Sequence, residues 1–181
     1  GAFVLSGNAL TVGTTAGNSS LANNQSTSNI TIQNNLTLAG NGRDVNLGFG
    51  SGAGSVTLSG NVNFNSCIIG LGFTSVTTSA GTLILTGTNT GLGKGNQVTG
   101  GGNSMRAINW TNVDNNRIIV GSDSALGAVA TGSVTSGTGV LNGILTSKIL
   151  LLSTTGGNRN LSGNSIGITG GRLEFDGANN L

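Results

Sequence analysis

Any chemistry in this chain would have to come from a small set of charged and nucleophilic residues, and their spacing argues against it. The acids are Asp44, Asp114, Asp123, Glu174 and Asp176, and there is no histidine. The commonest general base and metal ligand is therefore missing. Glu174 and Asp176 lie two apart, so on a strand they share one face. A glycosidase holds its two carboxyls at a fixed distance across the scissile bond, usually from separate segments. An exposed acidic edge is the expected reading of this pair, and no catalytic residue is assigned. A β-helical polysaccharide lyase or hydrolase, the third functional reading, would need clustered acids or bases that the sequence does not provide.

Binding chemistry is equally thin. Calcium-binding nonapeptide repeats place Asp regularly after Gly-Gly, and Asp is too rare here. Gly100-Gly101-Gly102 precedes no Lys-Ser or Lys-Thr, so no phosphate loop is indicated. No metal and no cofactor are expected. The single cysteine, Cys67, sits in the apolar run Cys67-Ile68-Ile69 and reads as a small buried hydrophobe; without a disulfide framework the redox compartment stays open. Asn-x-Ser/Thr triplets at Asn18, Asn24, Asn29, Asn35, Asn109 and Asn160 are what chance gives in a chain this rich in Asn, Ser and Thr.

One local anomaly stands out. Arg106, Asp114, Arg117 and Asp123 surround Trp110, the only tryptophan. Residues 103–117 read as an atypical loop or insertion, tied by ion pairs. The functional counterpart is a partner patch made by Arg106, Trp110, Asp114 and Arg117, with the indole as a flat anchor for a host or surface glycan. Within this stretch, Ser104–Val113 is the one place where a helical turn or two is expected.

The bulk composition points to a neutral, strand-rich body. Charged residues make up 7% of the chain, against roughly 25% in ordinary soluble domains. There are 34 glycines, no proline and no tyrosine, and hydrophobic residues reach 35%. Disordered chains combine low hydrophobicity with high net charge, whereas the net charge here is +2. The cations Arg43, Lys94, Arg106, Arg117, Lys148, Arg159 and Arg172 are scattered, so the concentrated positive face of a nucleic-acid binder is absent. No stretch approaches the roughly 18 to 20 apolar residues of a membrane span.

The elements that must position any site are short strands. Candidates are Phe3–Leu5, Leu10–Val12, Ile30–Ile32, Leu36–Leu38, Val56–Leu58, Val62–Phe64, Cys67–Ile69, Leu83–Leu85, Ile118–Val120, Ile149–Leu152, Ile166–Ile168 and Leu173–Phe175, bounded by Gly, Asn or Ser. A phrase recurs among them: an apolar-x-apolar strand running into Ser/Thr/Ala-Gly-Asn/Thr. It appears at Phe3–Asn8, Leu36–Asn41, Val56–Asn61 and Leu83–Thr88, and in short form at Leu161–Asn164. Strands that keep ending on the same glycine corner are the mark of a stacked coil. The expected fold is all-β, a parallel β-helix or β-solenoid, with coils of roughly 20 to 33 residues and about seven to nine of them. Leucines of the phrase should stack into a dry ladder, glycine corners should permit positive φ, and Asn amides should hydrogen-bond along the stack.

Two segments resemble a known family. Gly81-Thr82-Leu83-Ile84-Leu85-Thr86-Gly87-Thr88-Asn89-Thr90 is similar to the opening of the autotransporter-associated β-strand repeat. Ile119-Val120-Gly121-Ser122-Asp123-Ser124-Ala125-Leu126-Gly127 is similar to its closing V-G-x-x-x-A-L-G. The resemblance implies a right-handed parallel β-helix in an extracellular or cell-surface bacterial passenger region, and it brings no catalytic residues.

Strand alternation then gives an expected self-association surface. With Leu83 and Leu85 inward, Ile84 points outward; with Ile118 and Val120 inward, so does Ile119. Ile149, Leu150, Leu151 and Leu152 must expose one pair unless another layer covers it. The chain starts and stops in mid-pattern with no initiator Met, signal peptide or capping helix, so residues 1–181 read as one β-solenoid segment: a slice of a longer repeat protein or a subunit stacking end to end. The first functional expectation is a non-enzymatic extracellular structural protein, a stalk or filament segment forming homo-oligomers or filaments. The second is an adhesin or carbohydrate-binding module using the Trp110 region.

Overall fold

In the computed structural model of the chain, the backbone is described at residues 1–13, 19–24, 26–39, 44–49, 54–65, 68–71, 82–90, 108–110, 117–125, 142–145, 149–153, 166–169 and 172–176; side chains are described at 1–13, 21, 24, 26–39, 54–65, 82–90 and 119–125. These residues form strands and turns, with no helix among them. In chain order the strands are β1 (Phe3–Leu5), β2 (Leu10–Val12), β3 (Ser19–Asn24), β4 (Ile30–Ile32), β5 (Leu36–Leu38), β6 (Asp44–Phe49), β7 (Ser55–Leu58) and β8 (Val62–Asn63). They continue with β9 (Ile68–Leu71), β10 (Thr82–Leu85), β11 (Ile108–Trp110), β12 (Arg117–Val120), β13 (Asn142–Leu145), β14 (Ile149–Ser153), β15 (Ile166–Thr169) and β16 (Arg172–Asp176).

All strand pairings among the described residues are parallel. A seven-stranded sheet runs in the order β1-β4-β7-β10-β12-β14-β16, a three-stranded sheet β2-β5-β8, a four-stranded sheet β3-β6-β9-β11, and β13 pairs with β15. The chain visits three sheets in turn before returning to the first: β1, β2, β3, then β4, β5, β6, then β7, β8, β9. Links between neighbouring returns span 26 or 27 residues over the first four strands of the long sheet. Between β10 and β12 a link spans 35. Parallel neighbours cannot be joined by tight hairpins. Here the connection between them runs through the other two sheets.

The core follows from register. One ladder reads Leu5↔Ile32↔Leu58↔Leu85↔Val120↔Leu152↔Phe175, and a second reads Phe3↔Ile30↔Val56↔Leu83↔Ile118↔Leu150↔Leu173. Ile32, Val56, Leu58, Leu83, Leu85 and Val120 are all buried. In the three-stranded sheet Leu36, Leu38 and Val62 are buried too, and Phe64 packs beside them with no exposure. Each such side chain contributes roughly 1.5–3 kcal/mol relative to an exposed one. The alternating residues Thr11, Thr37, Asn63 and Thr90 face outward as an exposed, uncharged row.

Three expectations need correction. Leu38 was placed on the ladder of Leu5 and Leu58, but it belongs to β5 and pairs with Val12 in another sheet. The apolar-x-apolar-x-Gly phrase suits any strand entering a corner, so it marks corners without marking which corner. Ser104–Val113 is not helical where it is described: Ile108–Trp110 is β11, lying parallel to β9 with Trp110 opposite Leu71. Tertiary pairing overrides weak local helix preference there.

The third correction concerns the glycines. Positive φ occurs at Gly7 and Gly13 but not at Gly60 or Gly87. Those two are required by close approach instead. A Cβ on Gly60 would overlap the carbonyl oxygen of Asn34, and one on Gly87 would overlap the carbonyl oxygen of Gly60. Successive corners thus rest backbone on backbone. Gly60→Ala is expected to cost about 1–3 kcal/mol or more through overpacking, whereas Gly1→Ala, with open space around it, should be neutral. Urea midpoints of the two variants check this, and equal midpoints would contradict it.

Asparagines complete the corners, though not by amide-to-amide ladders. Asn29 Oδ1 accepts the Ser55 N–H (2.9 Å), Asn35 Oδ1 accepts the Asn61 N–H (3.0 Å), and Asn61 Oδ1 accepts the Thr88 N–H (3.0 Å). Each Asn therefore supplies an acceptor to the next level where the strand ladder has ended, which satisfies backbone donors that regular pairing leaves over.

Candidate interaction surface

The outward face of the seven-stranded sheet carries the residues expected to associate. Its middle ladder reads Val4↔Thr31↔Thr57↔Ile84↔Ile119↔Leu151↔Glu174. Ile84 and Ile119 are direct register partners on β10 and β12, and both are half-buried. Their strand neighbours Leu83, Leu85 and Val120 are fully buried. The alternation expected from sequence thus holds at these positions. Of the four residues at the start of β14, Leu151 is in register with Ile119 and Ile149 with Arg117. Leu150 and Leu152 are in register with Ile118 and Val120, on the two core ladders. The side chains of Ile149, Leu150, Leu151 and Leu152 lie outside the described residues, so the described apolar set on this face is Ile84 and Ile119.

The side chains of the patch expected around Trp110 lie outside the described residues. Trp110 lies on β11 in the four-stranded sheet, and Arg117 opens β12 in the seven-stranded one. Arg106 and Asp114 lie outside the described residues, as does Cys67. Of the acids, Asp44 opens β6, Asp123 sits exposed in the turn after β12, and Glu174 and Asp176 are on β16. Among the described residues no group of three or more His, Cys, Asp or Glu could hold a metal ion. No helix there is long and apolar enough to cross a membrane.

Sequence reasoning missed the buried asparagines Asn24, Asn34 and Asn89. Asn24 Nδ2 donates to the carbonyls of Ser28 (2.8 Å) and Gly54 (3.3 Å), while its Oδ1 accepts the Ser26 N–H (3.1 Å). Asn34 Nδ2 donates to the Asn8 carbonyl (2.7 Å). Asn89 bridges the levels on either side of it. Its Oδ1 accepts the Val62 N–H (2.9 Å) and its Nδ2 donates to the Ala125 carbonyl (2.6 Å). At the levels below, the equivalent donors, Leu10 and Leu36 N–H, are taken by the backbone carbonyls of Asn35 and Asn61. A side chain replaces the backbone rung on a 27-residue return, one level before the return lengthens to 35 residues. A polar residue in register with Leu36 and Val62 was the available signal, legible only once the phase is known.

The described part of this face offers the apolar side chains of Ile84 and Ile119 for packing. Comparison with models of protein families, with curated proteins and with solved structures finds no match. Within the described face, Leu83, Ile84 and Leu85 of β10 pair with Ile118, Ile119 and Val120 of β12.

Proposed function

We propose that this chain is a β-solenoid segment of a non-enzymatic extracellular structural protein, a stalk or filament element of a bacterial surface protein of autotransporter-passenger type that associates with its own kind. The observation that carries the reading is the parallel order β1-β4-β7-β10-β12-β14-β16 with two unbroken apolar ladders along it. Stacked rungs about 4.8 Å apart make a stiff rod whose strength lies along its axis. Such a rod suits spacing and bearing load, and the near absence of charge suits side-by-side packing of neutral faces.

Lateral association runs through Ile84 and Ile119. Their half-buried apolar row, continued in register by Leu151, is the kind of contiguous surface that marks an interface. The double variant Ile84→Lys/Ile119→Lys is expected to keep its circular-dichroism spectrum and lose side-by-side bundles. Electron microscopy with sedimentation velocity of the intact protein checks this. Rods that bundle as before, or compact particles in place of rods, would overturn the reading.

A further inference from the structure

Composition explains how often Asn-x-Ser/Thr occurs in this chain, but the fold treats the triplets unequally. Such a triplet is the acceptor signal for N-glycosylation, which needs the amide nitrogen and the hydroxyl two residues on to be reachable together. Asn24, Asn29 and Asn35 are the triplet asparagines whose side chains are described. Asn24 is 2% exposed, and its Nδ2 is committed to the carbonyls of Ser28 and Gly54. Asn29 and Asn35 are exposed. Each spends its Oδ1 on the next level, on the Ser55 and Asn61 N–H respectively. A facing N–H fixes which amide atom is the oxygen, so Nδ2 is the atom left over. No hydrogen bond among the described residues uses either Nδ2. In Asn35-Leu36-Thr37 the leucine is buried and both flanking residues are exposed. Alternation therefore sets the Asn35 amide and the Thr37 hydroxyl on one face, roughly 6.6 Å apart along the strand. In Asn29-Ile30-Thr31 the threonine is half-buried.

We propose that Asn35 is an N-glycosylation acceptor, with the Thr37 hydroxyl completing its recognition and Asn29 as a lesser site. The donor class is a glycosyl diphosphate. Nδ2 bonds to the anomeric carbon of the sugar, and the bond from that carbon to the diphosphate oxygen breaks. Its electron pair leaves with the diphosphate, the Nδ2 proton passes to a base of the transferase, and nothing is oxidised or reduced. The linkage consumes the one amide atom that the stack does not use. Oδ1 stays in place for the Asn61 N–H, so the corner keeps its rung. A sugar on Asn24 would instead displace hydrogen bonds in a buried site, and an unsatisfied buried carbonyl is costly. Thr37 lies on β5 in the three-stranded sheet, whereas Ile84 and Ile119 lie in the seven-stranded one, so the sugar and the apolar row occupy different sheets.

The test is electron-transfer mass spectrometry of the intact protein purified from its own cells, which locates added sugar residue by residue. Occupancy should be highest at Asn35, lower at Asn29 and nil at Asn24. Asn35→Asp keeps an oxygen for the Asn61 N–H and removes the nitrogen, and Thr37→Val keeps the side-chain shape and removes the hydroxyl. Both variants should retain the wild-type circular-dichroism spectrum and lose the added mass at Asn35, whereas Thr37→Ser should keep it. Cell extract supplied with radiolabelled UDP-glucose, with and without its membranes, separates the donors. Transfer that persists without membranes marks a nucleotide-linked sugar, and transfer lost with them marks a lipid-linked one. Asn35 bare in the native protein overturns the proposal, whether or not the rods bundle. So does occupancy at Asn24 equal to that at Asn35, or sugar at Asn35 that survives Thr37→Val.

Discussion

Replacing Leu58 or Leu85 with alanine is expected to cost about 2–5 kcal/mol, the usual range for a buried leucine whose cavity cannot fully collapse. Both side chains are at most 1% exposed and lie on the ladder Leu5↔Ile32↔Leu58↔Leu85↔Val120. A cavity there is flanked above and below by other ladder residues, each fixed by its own strand pairing, so little can move in. Leu5→Ala is the internal contrast. Leu5 occupies the same ladder but is 39% exposed, and its truncation should cost well under half as much. Urea unfolding of the three variants measures this. Similar losses for Leu5→Ala and Leu58→Ala would mean that ladder position does not govern burial.

Asn89→Ala carries the second large effect. It strips the acceptor from the Val62 N–H and the donor from the Ala125 carbonyl, both in buried hydrogen bonds. Each group left unsatisfied costs about 1–3 kcal/mol, so the variant should lose roughly 2–5 kcal/mol. Asn89→Leu separates hydrogen bonding from packing. Leucine matches Leu36 and Val62 in register, yet it leaves the same backbone groups orphaned and should not rescue stability. Asn61→Ala is the mild comparison, because Asn61 is exposed and water can replace its bond to Thr88. Native-state hydrogen exchange should show faster exchange at Val62 in Asn89→Ala and at Thr88 in Asn61→Ala. Stability fully regained in Asn89→Leu would show that the bridge is dispensable.

How legible all this was depended on the residue. Strands such as Ile30–Ile32 and Leu36–Leu38 were readable because alternating apolar residues ended at Gly or Asn, and each candidate from the sequence overlaps an observed strand. Ser19–Asn24, Asp44–Phe49 and Asn142–Leu145 were not, because Ser, Asn and Gly inside them imitate loops. Such strands exist because neighbours above and below supply their hydrogen bonds, which propensity does not register. Coil phase was also hidden. Leu38 and Leu58 carry the same phrase in different sheets, and only pairing with Val12 or Ile32 separates them. The outward row was legible where it is described: alternation puts Ile84 between the buried Leu83 and Leu85, and Ile119 beside the buried Val120. The demands for bare glycine at Gly60 and Gly87 come from the level below, so no local pattern announces them.

Nitroxide pairs on the exposed row of the three-stranded sheet test the stacked arrangement most directly. Thr11 and Thr37 are register partners on β2 and β5, and Asn63 and Thr90 continue the row. With neighbouring strands about 4.8 Å apart, labels at Thr11 and Thr37 should broaden each other strongly in continuous-wave spectra of protein diluted with unlabelled chain. Labels at Thr11 and Thr90, three levels apart, should interact only weakly. Weak coupling in the first pair, or equal coupling in both, would contradict the stack.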